Sequence, residues 1–542
     1  MKTIPGRLLP LISGLLLLLS SSVFACTSII VTGSASKTGC PMISYSCDGE
    51  FFPRLNLFPA ADHKPGEVRQ IFNWYGKDYS ISQVPHTYRV VGLMNEHQLA
   101  IGESTFDGRP ELENRSGMLD YFSLMYIALE RAKTAREAIG VITSLVEEYG
   151  YGSTGESFSI ADKEEAWIME MIGPGEGGKG AIWVAIRIPD GYISAHANMS
   201  RIHGFPLNDP ENCIFSPNVI SFAIEKGYYD PASGKPFSFS DAYNPPTEEQ
   251  VRYSARRVWS IFRRAALSMN ISPAYSSSEK GADPYPLYIK PDDKLDVQAV
   301  IALHRDHYEG TEFDMTANYA SGPFNAADRW RPMKWEVNGQ KYAWERPIAT
   351  QQAAFVFVSE ARKDIPDEIG GVFWYGLDNP YTNFFTPFYT SINSLPKSYT
   401  VGKLSKYSPE SAWWVFNFVA NYANLRWSYM IKDIQKVQQD IESFYFGNQA
   451  EVEKEAFRLL KENPKEVGQY LTNYCVEQAE ANIGKWRELG ELLITRYNDG
   501  YIQDEKGRPH EIGYPEKWLK HTPPAELERY RLTQERNGEG EL

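Results

Sequence analysis

The chain has 542 residues, 42% of them apolar and 23% charged, which is ordinary globular usage and excludes a mainly disordered, fibrous or many-span membrane protein. Acidic residues outnumber basic ones 69 to 55, a net charge of −14, which argues against a general nucleic-acid binder. With 13% aromatics and 34 prolines, the sequence reads as a large, loop-rich enzyme, long enough for about three domains or one elaborated core.

Lys2 and Arg7 flank the start, an apolar run extends from Leu8 to Leu19, and Ser20-Ser21-Ser22-Val23-Phe24-Ala25 follows. A basic start, a short apolar stretch and small residues before a cut mark a secretory leader. The run falls short of the roughly 20 residues that span a bilayer. The sequence therefore predicts a leader over 1–25, no stable membrane span, and an exported chain, periplasmic or extracellular, that begins at Cys26. Val23-Phe24-Ala25-Cys26 also resembles a lipoprotein box, although Phe24 stands where a small residue is favoured. On that rival reading Cys26 is lipidated and anchors a non-catalytic binder. The five cysteines, Cys26, Cys40, Cys47, Cys213 and Cys475, allow two disulfides in three pairings with one thiol over, or five unpaired buried residues.

Residues 27–32 are rich in β-branched side chains and read as a strand, Gly33 to Gly39 as a turn, and Met42 to Ser46 as the returning strand. A second hairpin is predicted from 88–94 and 98–103 around Asn95-Glu96-His97. Leu119 to Tyr149 carries the apolar spacing of helix in two pieces. Strands return at 157–161, 166–171, 181–187 and 192–196, an order that suggests α+β layers with antiparallel sheets. Residues 205–245 and 270–295 read as long loops around a helix at about 247–268. An apolar strand pattern resumes over 350–376, and Pro409 to about Arg496 is almost wholly helical. The division expected is a leader (1–25), a catalytic domain with insertions (26–405), a helical region (406–500) and a polar tail (501–542).

No phosphate-binding or dinucleotide-binding glycine motif is present, and the glycine-rich stretch 173–178 reads as a turn. His304, Asp306, His307 and Glu309 offer ligand atoms without the spacing of a metal site. Cys26 is the stronger feature. An N-terminal cysteine carries a nucleophile and an amine on one residue, with ordinary pKa values of about 8.5 and about 7.7–8.0. The amine can take the thiol proton and later protonate a leaving amine, so no separate histidine is required. No metal or organic cofactor is expected.

Cys26-Thr27-Ser28-Ile29-Ile30-Val31, Asp48, Gly92-Leu93-Met94-Asn95-Glu96, Glu165-Ala166-Trp167-Ile168-Met169-Glu170 and Ala197-Asn198-Met199-Ser200-Arg201-Ile202 resemble segments of the secreted and cytosolic cysteine dipeptidases. His307-Tyr308-Glu309-Gly310-Thr311, Gly322-Pro323-Phe324, 365–371, Trp374-Tyr375-Gly376-Leu377-Asp378 and Trp413-Trp414-Val415-Phe416-Asn417 extend the likeness in order. Those enzymes are N-terminal-nucleophile hydrolases, distantly related to penicillin V acylases and bile salt hydrolases. The resemblance implies an αββα sandwich of two antiparallel sheets between helical layers. It implies hydrolysis of dipeptides, with homo-oligomerisation left open, and it keeps an acylase acting on N-acyl amides as the rival of the same fold. By the same likeness Cys26 supplies thiol and amine, Asp48 holds the amine, Asn198 donates to the oxyanion, and Arg256 lies near the nucleophile, with Arg257 one position away. Two departures stand out. Tyr45 occupies the place where relatives usually have an arginine, and Ser104-Thr105 the place of a second oxyanion asparagine, making Tyr45 and Thr105 candidates for substrate or oxyanion contact.

Overall fold

The computed structural model describes residues 25–49, 51–73 and 75–532, so apart from Ala25 the expected leader lies outside the described residues. Two antiparallel sheets dominate. In chain order their strands are β1 (Ala25–Val31), β2 (Met42–Asp48), β3 (Leu57–Phe58), β4 (Val90–Val91), β5 (Met94–Asn95), β6 (Ala100–Asp107), β7 (Gly155–Ala161), β8 (Ala166–Ile172), β9 (Ile182–Arg187), β10 (Ile193–His196), β11 (Cys213–Phe215), β12 (Tyr288–Ile289), β13 (Ala353–Glu360), β14 (Val372–Leu377) and β15 (Thr386–Tyr389). The seven-stranded sheet runs β12-β10-β1-β2-β13-β14-β15, and the eight-stranded sheet runs β11-β9-β8-β7-β6-β5-β4-β3.

The first sheet forms around β1 because Thr27, Ile29, Ile30 and Val31 favour extended backbone, and because β1 finds a partner on each edge. Cys26 pairs with Cys47 and Ala25 with Asp48 on one side, and Ser28 pairs with His196 on the other. Both faces of β1 and β2 are buried. Alternation therefore sorts by contact rather than by polarity. Cys26, Ser28, Tyr45 and Cys47 face the eight-stranded sheet, where Ser28 Oγ donates to Glu103 O at 2.7 Å. Thr27 and Ser44 face the helices instead, toward Arg257 and His304. The sheets approach so closely at Gly102 that a Cβ there would lie 2.9 Å from the Tyr45 Cβ.

The helices are α1 (Tyr121–Arg131), α2 (Ala135–Tyr149), α3 (Arg256–Ala265), α4 (Val297–His304), α5 (Ala412–Ala423), α6 (Trp427–Glu462) and α7 (Val467–Arg496). The predicted break in 119–149 is set by two N-caps: Asp120 accepts from the Ser123 N–H and Thr134 from the Glu137 N–H. Helices α1 and α2 pack on the eight-stranded sheet, while α3 and α4, then α5 to α7, pack on the seven-stranded one. The fold is thus α+β with antiparallel sheets, as the sequence suggests.

Several boundaries differ from expectation. The hairpin at 88–103 is two short strands, β4 and β5, followed by the long β6, because Gly92 takes a left-handed φ of 58°. The expected helix at 247–268 is interrupted by a widened π-turn over Val251–Ala255. The loop 205–245 carries β11 and two short helices, Ser221–Glu225 and Phe239–Tyr243. All five cysteines are free and buried, so no disulfide forms among the described residues. The described part of the tail adds a short hairpin (Tyr501–Gln503 with Pro509–Glu511) and two helical turns on the surface. No helix of the described residues is long and apolar enough to cross a membrane.

Candidate active site

Cys26 is the second residue of β1, and its main-chain groups are held by two side chains. Its N–H, here still joined to Ala25, donates to Asn198 Oδ1 at 2.8 Å. Its carbonyl accepts from Arg257 Nη1 at 2.7 Å. Arg257 also donates to Thr27 Oγ1 (2.9 Å) and Asn198 Oδ1 (2.8 Å), so one guanidinium ties the first strand to the segment after β10. Asn198 accommodates this with a left-handed φ of 54°, a conformation asparagine tolerates better than most residues. Its Nδ2 donates to Thr105 O at 2.7 Å, and Ser254 Oγ donates to its carbonyl at 3.1 Å.

The arginine beside Cys26 is Arg257, not Arg256. The π-turn adds a residue to the turn just before α3 and re-aims the side chains that follow. Arg257 thereby points to Cys26. Arg256, about 100° further round the helix, lies over the Phe313 ring at 3.6 Å, pairs with Glu345 at 2.6 Å and donates to Ser276 O. It touches none of the groups around Cys26.

Asp48 ends β2, in register with Ala25, and is buried. Its Oδ2 accepts from Arg346 Nη2 at 3.3 Å, and its Oδ1 is buried with no hydrogen-bond partner. Burial pushes the Asp48 carboxyl up to about 7, against the opposing pull of Arg346, Arg257 and Arg331. This orphaned acceptor sits at the end of the strand where the cut before Cys26 would release an amine.

The thiol faces the other sheet. Cys26 Sγ donates to Glu103 Oε1 at 3.4 Å and to Tyr45 OH at 3.7 Å, while Tyr45 OH in turn donates to Glu103 Oε1. Burial holds the thiol well above its usual range, and Cys47, Glu103 and Asp48 add to this. Thr105, expected near the oxyanion, turns its Oγ1 to Glu156 Oε2 at 3.0 Å. Tyr45 offers a hydroxyl to the Cys26 thiol and has no charge for a carboxylate. His196, two residues before Asn198, bridges Ser104 Oγ (2.5 Å) and Ser159 Oγ (2.7 Å) across the sheets.

Sequence reasoning missed Glu103, Glu156 and Arg346. The first two lie on β6 and β7, and an acid inside a strand otherwise made of small and apolar residues is the one signal that marks them. Cys26 Sγ, Cys47 Sγ and a Glu103 oxygen lie within 4.8 Å of one another, the donor set that stands out for a soft cation among the described residues. A cation there would occupy the Cys26 thiol itself. The residues His304 to Glu309 make no such set: His304 bonds Ser44, Asp306 accepts from Ser260, and His307 pairs with Glu309. Beside Asn198 and Arg257 opens a cavity of about 480 Å³, walled by Tyr253, Arg109, Lys334 and Arg346.

Residues 58–440 match peptidase family C69. A "Probable dipeptidase" of Salmonella dublin is 26% identical over 393 residues, covering 68% of this chain and 81% of the relative. "Probable dipeptidase B" of Streptococcus pyogenes serotype M1 is 23% identical over 498 residues, covering 88% and 94%. A "Probable dipeptidase" of Latilactobacillus sakei is 24% identical over 416 residues, covering 73% and 80%.

Proposed function

The chain belongs to peptidase family C69, and on that premise we propose that it is an exported cysteine-type dipeptidase whose base is the α-amine of Cys26. The similarity to dipeptidases along most of the chain supports the substrate class. The observation that carries the mechanism is the cradle around the Cys26 nitrogen: Asn198 Oδ1 at 2.8 Å, the orphaned Asp48 Oδ1 at the strand end, and Arg257 holding the adjacent carbonyl. The stacked sheets with helices on them fit an N-terminal-nucleophile αββα sandwich.

While Ala25 is attached, the nitrogen is an amide without a basic lone pair, and the buried thiol stays protonated. Cleavage after Ala25 frees the amine, which Asp48 and Asn198 orient. The amine accepts the Sγ proton, the thiolate attacks the peptide carbonyl, and the tetrahedral adduct collapses as the ammonium passes its proton to the leaving nitrogen. Water then hydrolyses the acyl-enzyme by the same proton path. Because the proton donor is the Cys26 nitrogen, the leaving residue lies on its side, over the cavity whose wall carries Arg109, Lys334 and Arg346. The same wall carries Asp107, Glu111 and Glu249, so a dipeptide carboxylate there would share these cations with Glu111, Glu249 and Asp48.

Residues 26–542 made with a free Cys26, and again with one blocking residue before it, test this. Dipeptide hydrolysis is expected from the first alone, with Cys26→Ser losing nearly all of it. Equal rates from both proteins overturn the proposal. Activity should persist in EDTA and vanish on thiol alkylation. Mass spectrometry of the mature terminus checks export and cleavage: a lipidated cysteine there rejects this reading.

A further inference from the structure

Glu103 faces the nucleophile from β6, its Oε1 3.4 Å from Cys26 Sγ. It is fully buried, and its Oε2 has no hydrogen-bond partner. Behind it on β7 stands Glu156, also fully buried, its oxygens taken by Thr105 Oγ1 and the Ser157 N–H. Burial raises both carboxyls, and Glu156 is raised further by the charge of Glu103, so the two acids titrate as a pair. The groups that ease that charge are hydroxyls, a thiol and backbone N–H groups. No Lys, Arg or His forms an ion pair with either acid among the described residues. A buried charge without a counter-ion is costly, and here it lies against the reacting sulfur.

The covalent geometry of a dipeptide places a cation at that point. The ammonium of the first residue is two bonds from the scissile carbonyl carbon, hence about 2.5 Å away. Attack brings that carbon to about 3–3.5 Å from the sulfur. An ammonium on the flank of Sγ that faces β6 can then reach a carboxylate oxygen 3.4 Å from Sγ. With the leaving residue placed toward the Cys26 nitrogen, the first residue is left the flank where Glu103 and Tyr45 meet Sγ. We propose that Glu103, backed by Glu156, is the seat of the substrate's free α-ammonium, making the site selective for peptides with an unblocked amino terminus. This rests on Cys26 acting as the nucleophile of a dipeptidase.

An N-acylated peptide brings no charge and leaves the Glu103 oxygens facing an uncharged group, a mismatch that sites built for polar contact reject strongly. The test compares kcat/KM for Ala-Ala and N-acetyl-Ala-Ala in the processed wild type, Glu103→Gln and Glu156→Gln. The wild type is expected to prefer the free amine by at least about 100-fold. Glu103→Gln should collapse that preference mainly through KM, with Glu156→Gln doing so in part. Equal hydrolysis of both peptides by the wild type, or an intact preference in Glu103→Gln, overturns the ammonium seat alone. Hydrolysis of neither peptide by the wild type overturns the dipeptidase assignment and this inference with it.

Discussion

Arg256 and Arg257 are adjacent in sequence and separated by about 100° of helix rotation, and that rotation decides what each one does. Arg257 holds the Cys26 carbonyl and Asn198, whereas Arg256 pairs with Glu345 and packs on Phe313. Arg257→Lys keeps a charge but loses the fork that reaches three acceptors at once, so turnover should fall by about 10²-fold or more with the fold retained. Arg256→Lys should leave kcat within a few-fold and lower the unfolding midpoint, since a buried ion pair is weakened. Steady-state kinetics and thermal melts on the two variants separate the roles. Asn198 is read the same way. Asn198→Gly accepts the left-handed φ without strain, so its loss of turnover reports the carboxamide alone, and near-normal kinetics would remove Asn198 from the site.

The elements that bring these residues together are two strands, β1 and β6, stacked across the sheet interface. Their spacing depends on Gly102, whose missing Cβ leaves room for Tyr45. Gly102→Ala should push the sheets apart or turn Tyr45, destabilising by about 1–3 kcal/mol and lowering kcat because Tyr45 and Glu103 both face Sγ. A melt and a rate measured on the same preparation check both parts. The sheet with β1 in it carries the buried imidazole of His196, and His304, at the end of α4, is buried against its Ser44. Burial lowers His196 and His304 to about 3. In the unfolded chain they take protons below about 6.5, so the native state loses stability as pH falls from about 6.5 toward 3. Asp48 and Asp378, pushed up to about 7 by burial, work the opposite way, since the folded state takes up their protons first. The histidine contribution is therefore read as a difference: the acid branch of the stability curve should be shallower in His304→Gln than in wild type. Parallel curves would show that His304 does not titrate on unfolding.

At the scale of the whole molecule, the helices α5 to α7 are a wall of the seven-stranded sheet rather than an appendage. Trp374 stacks on Phe446 and Phe384 meets Trp486 edge-on. Arg305 grips Glu442 with two nitrogens, and Arg362 pairs with Glu453. Ending the chain at residue 405 would expose Trp374, Phe384 and Tyr389, each buried to within 1%. At about 1.5–3 kcal/mol per large side chain, such losses rival the about 5–15 kcal/mol that keeps a domain folded. Residues 26–405 should therefore fail to give a cooperative melt, and a stable, active fragment would contradict this.

Much of this was legible in the sequence by itself. A leader-like stretch before Cys26 singled out that residue as the candidate nucleophile. The β-branched run 27–32 marked its strand, and the apolar spacing of 119–149 and 409–496 marked the helices, because periodicity is a property of residues a few positions apart. Asp48 and Asn198 were readable through the likeness of short segments. Tertiary structure alone decided the rest. The choice of Arg257 over Arg256 follows from a π-turn, where one extra residue shifts the phase that a regular helix would keep. Glu103 is 77 positions from Cys26 and meets it only because two sheets stack with Gly102 at their closest point. That Cys26 and Cys47 lie in register on neighbouring strands is likewise a through-space fact that spacing in the chain does not encode. Local pattern sets strand and helix, whereas the pairing of strands and the stacking of sheets set which distant groups share the site.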